Sequence, residues 1–284
     1  MAIPTKPGIY PDLPFEDYCR IDACNHSKLK YLSLTPAHAR YLELNPPEST
    51  KQQDLGHAIH TALLEPERFN EQYVVAPDVG DRRYKEAKDA WASFVKQAAG
   101  KTVISAEDNR CIEGLKDSIR AHETASAVMY GRGINEVSLV WEDPETGLLC
   151  KARVDRLTEL NGWPFAIDLK SDGERATTDK WQMAVMRYGL HQQAAHYLRG
   201  LSILAPLPDG YARKFAWVVC ETEPPYLVRV FEADDAALSI GNDEVAKHLR
   251  IYSECRKAGT WPGWPQGLDY AGLPAWAMKK YDLD

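Results

Sequence analysis

Phe165-Ala-Ile-Asp-Leu-Lys170 is an apolar run that carries an acid and a base two positions apart. Read as a strand, it sends Asp168 and Lys170 out of the same face. A lone D-x-K is common by chance, and both residues could simply flank a solvated strand end. Thirteen positions upstream, Arg153-Val-Asp155 closes a second apolar run, Leu148–Val154. Asn161-Gly162 is a turn dipeptide between that run and the third strand, Trp163–Leu169. Asp155 and Asp168 are therefore expected at the ends of adjacent strands. Two carboxylates converging at a sheet edge form a hard oxygen site suited to Mg²⁺ or Mn²⁺. A nearby lysine can hold a nucleophilic water or stabilise charge on a phosphate, as phosphodiester hydrolysis requires.

Outward from this centre, Glu136-Val-Ser-Leu-Val-Trp141 alternates as a strand, and Glu142-Asp-Pro-Glu-Thr-Gly147 reads as a hairpin turn. Downstream, the pattern predicts one long helix over Trp181–Leu204. Strands Phe215–Cys220 and Leu227–Phe231 follow around Glu223-Pro-Pro225, and a last helix covers Ala233–Ala258. Upstream, Pro4, Pro7, Pro11 and Pro14 imply an extended start, with helices over Asn25–Leu32 and Ala37–Leu44 separated by Ser33–Pro36. Asp54–Leu64 has helical spacing, and Pro66 is expected to stop it. Segments 83–99 and 106–129 are also helical in pattern. The expectation is one α/β domain over 1–284, with a mixed sheet flanked by helices. Residues 1–130 form its mostly helical part, 131–260 its catalytic core, and 261–284 an aromatic tail packed on the body.

Three further groups of residues could serve the acids. Gly56-His-Ala-Ile-His60 places a glycine inside a helix, where it costs about 1 kcal/mol, which points to a close approach. His60 could be a metal ligand or phosphate contact, or an ordinary satisfied histidine. Gln193 and Tyr197 share a helix face at i, i+4 and could orient Lys170, a water or a phosphate. Glu136 opens the first strand and is either a further acid near the metals or a surface glutamate.

The 284 residues carry a net charge of −7, an awkward sign for a nucleic-acid enzyme, because affinity for phosphates comes mostly from Lys and Arg. A local positive channel is still compatible with an acidic total. Six scattered cysteines without a C-x-x-C pair read as buried free thiols, and no iron–sulfur cluster is expected. There is no apolar run of membrane-spanning length and no signal-peptide pattern at the N-terminus. The expectation is a cytoplasmic protein without membrane association.

Taken in order, G-x-x-x-H, E, D, D-x-K and Q-x-x-x-Y resemble the RecB-like branch of the PD-(D/E)xK nucleases. The sequence is more similar still to the C-terminal nuclease region of the exonuclease VIII (RecE) family. That likeness is carried by Asp54-Leu-Gly-His-Ala-Ile-His-Thr-Ala-Leu-Leu-Glu-Pro-Glu67, Gly100-Lys-Thr-Val-Ile-Ser-Ala-Glu107, Trp141-Glu-Asp-Pro-Glu-Thr-Gly147 and Leu273-Pro-Ala-Trp276. Members with a long extra N-terminal region differ from this sequence in length. The resemblance implies a restriction-endonuclease-like core and a Mg²⁺-dependent exodeoxyribonuclease, with Mn²⁺ as substitute and two ions per site. Asp155 would be a ligand shared between the ions. Asp168 and the carbonyl of Leu169 would hold the ion nearest the attacking water, which Lys170 would position. His60 would ligate or support the second ion, Gln193 and Tyr197 would support the site or the DNA backbone, and Glu136 would be a further ligand. No motif residue is substituted. The resemblance also implies 5′-to-3′ action on linear duplex DNA that leaves 3′ single strands for recombination. Double-stranded DNA ends, a homo-oligomeric ring such as a tetramer, and a single-strand-annealing partner follow from it. An endonuclease, a single-strand exonuclease and a non-catalytic DNA-binding protein of the same fold are the alternatives.

Overall fold

Asn161 and Gly162 both take positive φ, 52° and 78°, the conformation a two-residue hairpin needs to match the strand twist. They join the two central strands of a six-stranded mixed sheet. In a computed structural model of the protein, which describes residues 3–80, 83–173, 175–273 and 277–278, eight strands occur. They are β1 (Gly8–Tyr10), β2 (Tyr73–Val75), β3 (Thr102–Ile104), β4 (Gly133–Glu142), β5 (Leu149–Leu160), β6 (Trp163–Asp172), β7 (Lys214–Glu221) and β8 (Val228–Glu232). The large sheet runs β1-β4-β5-β6-β7-β8, and β2 and β3 form a separate parallel pair. All neighbours in the large sheet are antiparallel except β6 and β7. A parallel pair needs a crossover, supplied here by two helices.

The helices are α1 (Phe15–Arg20), α2 (His26–Lys30), α3 (Pro36–Leu44), α4 (Lys51–Leu64), α5 (Pro66–Gln72) and α6 (Lys85–Gln97). They continue with α7 (Ala106–Ala121), α8 (Glu123–Tyr130), α9 (Thr178–Tyr188), α10 (Leu190–Leu204) and α11 (Asp235–Ala258). Strand alternation divides the apolar residues between two faces. Val137, Leu139, Trp141, Ala152, Val154, Phe215 and Trp217 pack on Ala194, Leu201, Val245 and Leu249 of α10 and α11. Phe165, Ile167, Leu169, Ala216 and Val218 pack instead on Ile59, Ile112, Leu115 and Val128 of α4, α7 and α8. Helices α4, α7 and α8 thus cover one face of the sheet, while Leu29 of α2 and Ala39 of α3 join α10 and α11 on the other.

The structure corrects the predicted elements at several points. The helix expected over Trp181–Leu204 is two helices, because Gly189 adopts φ 66° and ends α9 before α10 begins. Pro66 does not simply stop α4; it opens α5, at a position where its missing N–H costs nothing. The segment 106–129 breaks at His122, whose side chain caps α8 by accepting from the Ala125 N–H. β5 runs on to Leu160, beyond the expected end at Val154, so Asp155 is an interior residue. β1, the β2–β3 pair and α1 were not expected. In the tail, Trp261 packs edge-on against Tyr252, with ring centroids 5.3 Å apart, and Trp264 against His38 at 5.7 Å. Residues 274–276 and 279–284 lie outside the described residues. No helix among the described residues is long and apolar enough to cross a membrane.

Candidate active site

The β4–β5 ladder pairs Asn135 with Arg156 and Val137 with Val154, which leaves Glu136 and Asp155 facing one another outside it. Glu136 takes φ 54°, a region that costs a non-glycine residue about 1–3 kcal/mol and concentrates at functional sites. Side-chain alternation reverses across this level. Val137 and Val154 face the α10 side, whereas Asn135 reaches the Leu64 carbonyl of α4 and Arg156 the Val128 carbonyl of α8, both at 2.6 Å. β5 and β6 also part here, since their pairing stops at Arg156 and Ile167. The next residues are Asp155 and Asp168. In place of a ladder bond, Asp155 Oδ2 accepts from the Leu169 N–H at 2.7 Å. The expectation that both acids end their strands is therefore replaced by a finer arrangement: they sit inside continuous strands, at the level where the strands open.

His60 comes to this opening from α4. Its Nε2 contacts the Leu169 carbonyl at 2.7 Å and lies 3.8 Å from Asp155 Oδ2. Gly56, one turn earlier, lies close against β6, where a Cβ would meet the Ser171 Oγ at 3.0 Å. Ligand atoms of His60, Glu136 and Asp155 all fall within 4.8 Å of one another. Asp168 and Lys170 leave β6 together, with Lys170 Nζ 2.5 Å from Asp168 Oδ2. On α10, Gln193 Nε2 donates to Asp168 Oδ1 at 2.9 Å and to Tyr197 Oη at 3.1 Å. All the residues singled out in the sequence meet in one place. Asp168, however, is engaged by Lys170 and Gln193, while the compact three-ligand group is His60, Glu136 and Asp155.

Burial, and next the neighbouring Asp168 carboxylate, push Asp155 up to about 8. Burial and the charge of Asp155 raise Glu136 as well, with Arg153 opposing. Burial first, then Lys170, holds His60 below its ordinary value, so its imidazole is neutral at pH 7. Buried carboxylates that resist ionising beside one another, together with a neutral imidazole, form a donor set for a divalent cation. The residues fit such an ion.

Arg153 and Lys151 were missed as site residues, although both stand in Cys150-Lys-Ala-Arg-Val-Asp155 at the period that marks one strand face. Arg153 is buried. Its Nε donates to Glu136 Oε2 at 2.5 Å, and its Nη1 to Ser138 Oγ at 2.9 Å and the Leu13 carbonyl at 2.8 Å. Lys151 Nζ donates to the carbonyls of Tyr18, Cys19 and Ile21 at 2.8–3.2 Å. These two cations hold the segment carrying α1 as one wall of a cleft of 610 Å³, with His60, Glu136 and Asp155 in its lining. A second hollow of 610 Å³ continues from it past Lys170 toward α2 and α9.

A mixed sheet clasped by helices, whose central strands part around Asp155 and Asp168-x-Lys170, defines a protein of the PD-(D/E)xK nuclease fold. The chain belongs to the family described as "PDDEXK-like domain of unknown function (DUF3799)", whose profile matches residues 25–273. Among solved structures, it is similar to a candidate exonuclease from Eubacterium rectale. That similarity has 13% identity, 94% of this chain and 97% of that chain aligned, and a TM-score of 0.55; it bears on the fold. LHK-Exo, solved in complex with dAMP, aligns at 18% identity over 72% of this chain and 98% of that chain, with a TM-score of only 0.24. No curated protein matches the chain in sequence.

Proposed function

We propose that this protein is a divalent-metal-dependent exodeoxyribonuclease that degrades one strand of linear duplex DNA from its 5′ end, leaving 3′ single strands for recombination. The observation that carries the reading is the convergence of His60, Glu136 and Asp155 within 4.8 Å, beside Asp168 and Lys170, in a cleft. Polarity and duplex preference rest on the resemblance to the exonuclease VIII family. His60, Glu136 and Asp155 would hold one Mg²⁺, or Mn²⁺ in its place; Asp168 and the Leu169 carbonyl would complete a second position shared through Asp155. Bound there, the metal would neutralise phosphate charge and make water more acidic. Lys170 would orient the attacking water and stabilise charge on the phosphoryl oxygens as the P–O bond to the leaving nucleotide breaks. Gln193 and Tyr197 would hold Asp168 in place. A closed homo-oligomer around the DNA and a single-strand-annealing partner belong to the same proposal.

The test is a linear duplex labelled at either 5′ or 3′ end, with a closed circle as control. With Mg²⁺, the 5′ label is expected to leave first as a short product, and the circle to stay intact. Asp168→Ala is expected to fold normally and cleave nothing. Cleavage of the circle would replace the exonuclease with an endonuclease, and undiminished activity of Asp168→Ala would remove the site.

A further inference from the structure

Most cations near the cleft are already committed to partners. Lys151 and Arg153 serve backbone carbonyls and Glu136, Arg68 pairs with Glu65, and Lys28 and Arg40 pair with Glu43. Lys30 and Arg187 are different. Among the described residues neither has a carboxylate in ion-pair contact; each instead lies against a tyrosine. Lys30 Nζ is 5.0 Å from the Tyr31 ring, and the Arg187 guanidinium is 5.5 Å from the Tyr188 ring. These two cation–ring pairs come from α2 with the turn after it and from the end of α9, and they line one hollow of 470 Å³. Its single lining acid, Glu244, is held by His191 Nε2 and Gln192 Nε2, each at 3.1 Å. Lys30 and Tyr188 also line the hollow that contains Lys170. The outer hollow is thus continuous with the catalytic cleft across a ridge made of one cation and one ring. Tyr188 is 56% exposed, and it ends α9 at the point where Gly189 turns the chain.

We infer that this outer hollow is a single-strand track, which takes the unpaired strand of DNA running between the metal site and the surface. The inference rests on the nuclease reading above and adds where the unpaired strand lies. The exposed Tyr188 ring can accept the flat face of any base, and neighbouring cations meet its phosphates, the combination that sequence-tolerant single-strand binding requires. A duplex, whose bases are already stacked, gains nothing from the rings. In a protein of net charge −7, two cations without carboxylate partners at the mouth of the cleft also supply the local positive potential that an acidic total leaves scarce.

The experiment measures binding of fluorescent oligothymidine in chelator, where hydrolysis cannot intervene, for wild type, Lys30→Ala, Arg187→Ala and Tyr188→Ala. The tyrosine variant is expected to weaken binding by about 5- to 150-fold, the range for loss of one stacked base. Each cation variant is expected to lower the slope of log affinity against log salt by about 0.7. A tail carrying 5-iodouracil is expected to photocross-link to Tyr188. A protein that cleaves duplex ends, yet binds oligothymidine equally in all four forms, overturns the track alone. One that neither cleaves nor binds DNA overturns the nuclease reading beneath it.

Discussion

Lys170 and Arg153 are both cations beside acids, and their surroundings give them different work. Lys170 is partly exposed, opens onto the cleft and touches Asp168. Its ammonium is a compact, movable donor, and arginine's fixed fork would not substitute for it. Lys170→Ala and Lys170→Arg are expected to keep metal binding but to slow single-turnover cleavage by roughly 100-fold or more. A rate within about threefold of wild type would make Lys170 a structural residue. Arg153 is buried and donates to the carboxylate of Glu136, whose φ is 54°. It lines the cleft and reaches the proposed ion position through Glu136. Arg153→Lys is expected to weaken metal affinity by about 10- to 100-fold, as for residues that orient ligands, and titration calorimetry with Mn²⁺ checks it. Strand parity made Asp168 and Lys170 legible as a pair, and helical i, i+4 spacing did the same for Gln193 and Tyr197. Nothing in the letters around Glu136 signals its positive φ, which falls where the β4–β5 ladder is interrupted opposite Asp155.

Elements with a clean period were legible, and those held by distant partners were not. The β4–β5 and β5–β6 hairpins follow from alternation and turn residues. β1, only three residues long, exists because β4 offers it an edge, and its own letters carry no period. The α9–α10 break was written in Gly189, but the apolar spacing on either side masked it. Glycines inside helices carry opposite meanings that only packing separates. At Gly241 of α11, a Cβ would lie 2.4 Å from the His191 carbonyl oxygen and 3.0 Å from the Ala195 Cβ. The obstacle is backbone, so α10 and α11 must separate to admit a methyl group. At Gly56 the obstacle is one serine hydroxyl at 3.0 Å, which can rotate, and alanine there recovers about 1 kcal/mol of helix propensity. Gly241→Ala is expected to destabilise by about 1–3 kcal/mol, while Gly56→Ala stays within about 1 kcal/mol of wild type. Urea unfolding of the two variants checks the contrast, and equal losses would remove the packing argument.

At the scale of the whole molecule, the acidic total and the buried acids make folding, proton uptake and metal binding one linked problem. Asp155 is raised from an ordinary 3.8 to about 8, so between those values the folded chain binds a proton that the unfolded chain has released. Stability then falls as pH rises, since the folded state holds more protons than the unfolded one. The contribution is fully present below about pH 4 and is lost as pH rises toward about 8. A divalent cation needs the carboxylate ionised, and its charge offsets the repulsion that made ionisation costly. In chelator, the melting temperature is therefore expected to drop between about pH 5 and pH 8, with the drop reduced in Asp155→Asn. Saturating Mg²⁺ is expected to reverse it, raising stability most at the alkaline end, where no proton competes. Calorimetry at pH 7 in buffers of different ionisation enthalpy is expected to register proton release on Mg²⁺ binding. Binding without proton release, together with a melting temperature that Mg²⁺ leaves unchanged at pH 8, would show that Asp155 does not receive the ion.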